Sequence, residues 1–151
     1  MDIKIDNLES GDVLQLLQEH MQDMLATSPA ESVHALDVPA LKAPSITFFS
    51  AREGGQLLGC VAIKELSTAN AELKSMRTHS HARNTGVAST LLEHILVVAK
   101  KRGYVSLSLE TGSMAFFKPA RKLYQKYGFT PCEPFSNYLS DPNSTFMSID
   151  L

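Results

Sequence analysis

The chain has 151 residues, and its 14 lysines and arginines against 16 aspartates and glutamates give a formal net charge of −2. This length is typical of one domain, and we expect residues 1–151 to form a single one. An apolar fraction of 44% with 20% charged residues excludes an intrinsically disordered chain. The near balance of charge argues against a protein that binds nucleic acid through its phosphates.

The cysteines and the chain start indicate the compartment. Cys60 and Cys132 are too few and too far apart for a disulfide framework or a zinc cluster. The first ten residues carry charges where a signal peptide has an apolar run, and no stretch approaches the roughly 20 apolar residues that span a bilayer. We therefore expect a cytoplasmic protein that does not bind membranes.

The first half of the chain reads as strand, helix and three further strands. Alternating polarity predicts a short strand at residues 3–6, and an apolar stripe predicts a helix that begins near Ser10 or Asp12 and ends near Thr27. The proline-rich segment 28–45 predicts a loop with at most one broken helix. Three extended segments follow at 46–51, 57–63 and 71–78.

The second half alternates helix and strand. A long helix is predicted over 86–102, ended by Gly103, followed by a strand at 104–109. Pro119 opens another helix that Gly128 ends, and strands are expected from Phe129 and at 145–151. The order predicts an α/β (α+β) fold with a central mixed, mostly antiparallel sheet of about seven strands.

The most informative segment is Arg83–Ser89, where a strand gives way to the long helix. A helix start with small residues exposes unpaired N–H groups and the positive end of the helix dipole, which together bind phosphate oxygens. Gly86 and Ala88 allow a pyrophosphate to approach the backbone, and Arg83 adds positive charge. A simple capped helix explains the local sequence equally well.

A second motif decides between these readings. The segment Arg83–Ala88 matches the pattern Arg or Gln, two residues, Gly, one residue, Gly or Ala, and Leu123–Phe129 matches L-Y-x-K-x-G-F. Together they resemble the GNAT family of N-acetyltransferases, and the element order supports the resemblance over nearly the whole chain. Two departures are Asn84, where Gly is commonest, and Ser80, where many members have Pro.

The resemblance implies acetyl-CoA as co-substrate and no metal. It places the pyrophosphate on Arg83 and on the backbone amides of Asn84, Thr85, Gly86, Val87, Ala88 and Ser89. In the family, the strand before this loop separates from its neighbour and pairs with the pantetheine amides, which here implies Met76, Arg77 and Thr78.

The resemblance also implies Tyr124 as the acid that protonates the departing thiolate. Because Tyr124 shares a helical face with Ala120 and Tyr127, simple core packing is the alternative. A base is needed because an alkylammonium has a pKa near 10. Some family members have a glutamate at the position of Glu72 that relays the proton through water, and an exposed strand glutamate paired with Lys74 or Lys64 is the alternative. Glu110 is the rival base.

The sequence says least about the acetyl acceptor. Glu110, Thr111 and His34 are the candidate acceptor-binding residues, while His79 and His81 lack partners at metal-ligand spacing. The expected function is acetyl transfer from acetyl-CoA to a primary amine, of a small molecule, by direct attack. A CoA-binding module without turnover and a protein-lysine acetyltransferase are the alternatives. Many members of the family are dimers, so a homodimer is possible.

Overall fold

The fold is centred on one mixed sheet of seven strands, seen in a computed structural model that describes residues 1–151. The strand order across the sheet is β1-β2-β3-β4-β5-β7-β6, and only β4 and β5 run parallel. The strands are β1 Asp2–Ile5, β2 Ile46–Glu53, β3 Gln56–Glu65, β4 Asn70–Thr78, β5 Ser106–Gly112, β6 Thr130–Pro131 and β7 Ser144–Asp150.

Helices cover both faces of the sheet. They are α1 Gly11–Thr27, α2 Val38–Leu41, α3 Val87–Lys101 and α4 Lys118–Lys126. Val13, Leu16 and Leu17 of α1 pack with Leu41 of α2 against one face. Residues of α3 and α4 pack against the other face in the larger core cluster. The predicted fold class, a mostly antiparallel sheet of seven strands between helices, is confirmed.

The sheet opens between β4 and β5. The two strands pair only over Asn70–Glu72 and Ser106–Ser108, and then separate. On its other side, β4 bulges against β3, where the register shifts between Cys60 and Ala62. Ser75 in this bulge has a φ of 54°, which is unusual for a residue other than glycine. The last residues of β4 therefore have backbone groups that β5 does not pair.

Several element boundaries differ from the prediction. β5 starts later than the predicted residue 104, because Tyr104 still donates its amide to the carbonyl of Ala99 in α3. It extends beyond the predicted residue 109, because residues up to Gly112 pair with β7. The strand expected from Phe129 is only two residues long, since Pro131 has no N–H for further pairing. Segment 28–45 contains a 3₁₀ turn at Ala30–Ser32 and the short α2. None of the helices combines the length and apolarity that a bilayer crossing requires.

Candidate active site

The loop before α3 presents free backbone donors. None of the amides from Arg83 to Ser89 donates a hydrogen bond within the protein, and the first helical bond of α3 comes from Thr90 to Gly86. Gly86 at the N-cap has a φ of 87° and Asn84 a φ of 62°. Asparagine is among the few side chains that tolerate this region, which explains how it stands where glycine is commonest. The geometry suits an anion with several oxygens.

A cavity of about 550 Å³ lies beside this loop, and we name it the loop cavity. It is bounded by the free end of β4, the start of α3, the second half of α1 and the helix α4. Among the sequence-predicted residues, it brings together Met76, Arg77, Thr78, Arg83, Asn84, Gly86, Val87, Ala88, Ser89 and Tyr124. Thr85 is not part of this lining, and its hydroxyl instead donates to the carbonyl of Ala82, which holds the loop in shape.

Helix α1 contributes polar groups that the sequence did not point to. Asp23 forms an ion pair with Arg77 of β4 at 2.7 Å, and Arg77 is almost fully buried. Burial and, to a smaller extent, the positive charge of Arg77 lower the pKa of the neighbouring His20 to about 4, although Asp23 opposes them. His20 is therefore neutral at physiological pH, and the ion pair ties α1 to the separated end of β4.

Tyr124 projects from α4 into the loop cavity. The residue is 5% exposed, and its ring packs against Phe129 with centroids 5.7 Å apart. Burial raises the pKa of the phenol well above its usual range, and the negative charge of Glu110 adds to this effect. Tyr124 thus belongs both to the core and to the cavity, so the two roles considered for it are compatible.

A second cavity of about 610 Å³, which we name the distal cavity, lies over β3 and β4. Its walls come from segment 31–36 and from the loop 136–141. Lys74 binds Glu72 at 3.0 Å and donates to the Tyr138 hydroxyl at 2.7 Å, while that hydroxyl donates to Glu72. His34 contacts Tyr138 edge-on, with ring centroids 5.0 Å apart. His34 therefore does line a cavity, as an acceptor-binding residue would.

The structure corrects the expectation of an exposed Glu72. Glu72 is 2% exposed, because its side chain lies beneath Tyr138. The predicted pairing with Lys74 is present, whereas Lys64 makes no ion pair with it. Glu72 lines the distal cavity and not the loop cavity.

Glu110 affects residues of both cavities. It belongs to neither lining, yet its charge acts on Tyr124 of the loop cavity and on Tyr138 of the distal cavity. Burial, helped by the charges of Glu72 and Asp141 and opposed by Ser144 and Lys74, raises the pKa of Glu110 to about 7. A carboxyl group with a pKa near neutrality can accept and release a proton under physiological conditions.

The structure buries Thr111 away from both cavities. Thr111, predicted to bind the acceptor, lies on β5 between Glu110 and Gly112, is buried, and lines neither cavity, and its role stays a prediction. Strand alternation places it on the face of Leu109, away from Glu110.

Cys60 is fully buried as expected, and burial raises the pKa of its thiol to about 12. No three His, Cys, Asp or Glu side chains lie close enough together to hold a metal ion.

The distal cavity contains residues that sequence reasoning missed. Tyr138 and Asp141 lie in an irregular segment whose only signal was its prolines. Lys64 appeared only as a partner of Glu72 and instead lines the cavity unpaired. Contacts between segments distant in the chain assemble this site, as the hydrogen bond of 2.6 Å from Ser32 to Asp141 shows.

The loop geometry makes a prediction for Gly86→Ala. A Cβ at Gly86 meets nothing within 4 Å, so the cost is conformational, about 1 kcal/mol in the free energy of unfolding. The added methyl group also obstructs anions at the amides, and we expect the Kd for acetyl-CoA to rise about tenfold. Gly103→Ala is the matched control, because Gly103 has a φ of 83° and equal space at the other end of α3. Calorimetric titration with acetyl-CoA tests this, and equal Kd values for the two variants would contradict it.

A sheet opened between its two parallel strands, with an anion-binding loop at the opening, defines the acyl-CoA N-acyltransferase class of fold. A family model, "Acetyltransferase (GNAT) family", matches residues 13–129, and the chain therefore belongs to this family of N-acetyltransferases. It is 55% identical over 148 residues to "Uncharacterized N-acetyltransferase YsnE" of Bacillus subtilis strain 168, covering 98% of each chain.

Two further comparisons agree. The chain is 49% identical over 149 residues to "Uncharacterized N-acetyltransferase YedL" of Escherichia coli K12, covering 99% of this chain and 94% of that one. A GNAT family acetyltransferase from Elizabethkingia anophelis, solved with acetyl-CoA bound, superposes with a TM-score of 0.73 at 18% identity, covering 99% and 97% of the chains. The fold and the enzyme class predicted from the two motifs are confirmed.

Proposed function

We propose that residues 1–151 form one cytoplasmic N-acetyltransferase domain that moves the acetyl group of acetyl-CoA to the primary amine of a small molecule. The observation that carries the proposal is the presence of two separate cavities, one beside the anion-binding loop and one over β3 and β4, together with Glu110 of β5, whose charge raises the pKa of Tyr124 in one and of Tyr138 in the other. One cavity suits the co-substrate and the other the acceptor. Both can be filled at once, as direct attack requires.

The loop cavity fits acetyl-CoA. The free amides from Arg83 to Ser89 suit the pyrophosphate, and the exposed Arg83 adds charge. The separated end of β4, Met76–Thr78, offers backbone groups that a pantetheine can pair with as an added strand would. The acetyl-CoA bound to the Elizabethkingia anophelis relative supports the same co-substrate here.

Glu110, in preference to Glu72, is the proposed proton acceptor. Glu72 is held by Lys74 and Tyr138, and removing it would leave Lys74 buried without its counter-ion. Glu110 has no such ion pair and titrates near neutrality. It takes a proton from the acceptor ammonium, directly or through one water, and the neutral amine then attacks the thioester carbon.

Tyr124 is the proposed acid. The new C–N bond forms, the C–S bond breaks, and the electron pair of that bond leaves with sulfur, which takes the Tyr124 proton. The nitrogen, which carries one extra proton after the attack, releases it to water. The phenol stays protonated throughout the physiological range. Burial raises the pKa of the Tyr124 phenol, and it also raises the pKa of the CoA thiol that forms in the same buried environment. Proton transfer from the phenol to the thiolate therefore remains feasible. Protonated Glu110 then returns its proton to the phenolate through water.

The distal cavity supports a small acceptor. Its volume of about 610 Å³ is within the range of sites for small molecules, which is roughly 300–1,000 Å³. A protein lysine would instead need a long open groove for the flanking chain.

Initial-rate kinetics test direct attack. We expect intersecting double-reciprocal lines for acetyl-CoA and amine, and no change in the intact mass of the protein after incubation with acetyl-CoA alone. Parallel lines together with an added acetyl group on the protein would contradict a ternary complex and indicate a covalent intermediate.

A further inference from the structure

The distal cavity contains one cation without a counter-ion. Lys64 of β3 is half-buried and lines the cavity, yet no carboxylate lies within 4.0 Å of its Nζ. Its register partner across the strands is Glu72, so both side chains lie on the same face of the sheet. Glu72 is already engaged by Lys74. Lys64 is therefore free to bind an anionic group.

The carboxylates of the cavity, by contrast, are largely occupied. Asp141 accepts hydrogen bonds from the Ser32 hydroxyl at 2.6 Å and from the Asn143 amide at 2.8 Å. Glu72 accepts from Lys74 and Tyr138. The remaining acid, Glu31, is exposed at the rim. Inside the rim, Lys64 is thus the charged group of the lining that has neither an ion pair nor a side-chain hydrogen bond.

The position of Lys64 relative to Glu110 limits the size of the ligand. Lys64 is on β3 and Glu110 on β5, two strand spacings or about 10 Å apart across the sheet, and Glu110 lies two residues, about 7 Å, further along the strands than Lys64. The long lysine side chain and the glutamate side chain span much of this distance. An amine directed to Glu110 and an anion directed to Lys64 can therefore belong to one small molecule.

The cavity walls add an apolar requirement. Ala35, Leu36 and Leu139 belong to the lining, and Leu139 is 81% exposed. A ligand with an apolar substituent would cover it.

We propose that the acceptor is an amino acid-like compound, with its carboxylate bound by Lys64, its amine directed to Glu110 and an apolar side chain against Leu36 and Leu139. This inference rests on the proposed acetyl transfer, for which it names the acceptor class. Lys64 is in this account a specificity-determining residue and takes no part in proton transfer.

Matched acceptor pairs test the proposal. Thiol release from acetyl-CoA is measured with L-leucine against 3-methylbutylamine and with L-phenylalanine against 2-phenylethylamine, which differ only in the carboxylate. A hydrogen-bonded ion pair accounts for about a 10- to 100-fold preference in kcat/KM for the amino acid. We expect Lys64→Met to abolish this preference, mainly through KM, while changing kcat/KM for the plain amines less than twofold.

The controls separate a binding role from a structural one. Lys4→Met removes an exposed lysine from β1 and should leave every rate unchanged. Lys64→Arg keeps the charge and should retain most of the preference. Plain amines that react as well as the amino acids, or a Lys64→Met variant that slows both members of a pair equally, would overturn the proposal.

Binding to the CoA complex, measured by thermal shift, distinguishes this inference from the acetyl transfer on which it rests. Carboxylate-dependent binding that Lys64→Met removes, without thiol release, would support the site and contradict the acetyl transfer. Thiol release without a preference for the carboxylate would support the acetyl transfer and contradict the carboxylate site at Lys64. An absence of preference in both measurements contradicts the acceptor class.

Discussion

Glu110→Gln is expected to lower kcat/KM for the amine about 100-fold at pH 8, because a general base, the role proposed for Glu110, typically contributes 10²- to 10⁴-fold. In the wild type, we expect kcat/KM to rise with pH through the pKa of Glu110, about 7, and this acidic limb to disappear in the variant. The deficit shrinks near pH 10, where the amine loses its proton without help. Rates with a fixed amine from pH 5.5 to pH 10 measure all three effects.

Glu72→Gln is the informative comparison. It leaves Lys74 buried without its counter-ion, so we expect a lower melting temperature. It should keep the acidic limb of the pH profile. A limb that vanishes in Glu72→Gln and persists in Glu110→Gln would reverse the assignment of the base.

The raised pKa of Glu110 also predicts a trade-off with stability. Burial disfavours the ionised form, so Glu110 costs nothing below its unfolded pKa of about 4.5 and progressively more as the pH rises through about 7. At 1.36 kcal/mol per pKa unit, the cost reaches about 3 kcal/mol above pH 8. We expect Glu110→Gln to melt several degrees above the wild type at pH 8.5 and nearly with it at pH 5. Thermal melts at the two pH values check this, and a constant difference would contradict it.

The second large effect is expected for Tyr124→Phe, which removes only the hydroxyl. The ring still fills its place against Phe129, so stability should change little. If the hydroxyl protonates the thiolate, kcat falls about 100-fold with little change in the KM for acetyl-CoA.

Tyr127→Phe is the matched control on the same helix. Its hydroxyl donates to Glu93 and does not line the loop cavity. We expect its kcat to stay within twofold of the wild type. A Tyr124→Phe variant as active as Tyr127→Phe would show that Tyr124 is a packing residue only.

The sequence predicted those parts of the molecule that local rules govern. Alternation and apolar stripes predicted the strands and helices, and Gly86 at a helix start predicted the anion loop, because the chemistry of such a loop lies in consecutive backbone groups. Tyr124 and Glu110 could be identified as candidates from the sequence, because each lies in or next to a recognisable helix or strand.

The arrangement of the distal cavity could not be predicted from local sequence rules. Whether Glu72 is exposed depends on Tyr138, which a loop of irregular sequence brings over it from the far end of the chain. Whether Thr111 reaches a cavity depends on the extent of β5, because pairing with β7 up to Gly112 keeps Thr111 within the strand and on the face of Leu109. Lys64 is left without a counter-ion because Glu72, its register partner, pairs with Lys74 instead.

Thiol release from acetyl-CoA, with and without an amine acceptor, tests the central claim most directly. The account predicts release that depends on the amine, saturates with it, and falls about 100-fold in Glu110→Gln. Acetyl-CoA that binds tightly to the wild type, with no amine-dependent release across amino acids and plain amines, would contradict it and indicate a CoA-binding module without turnover.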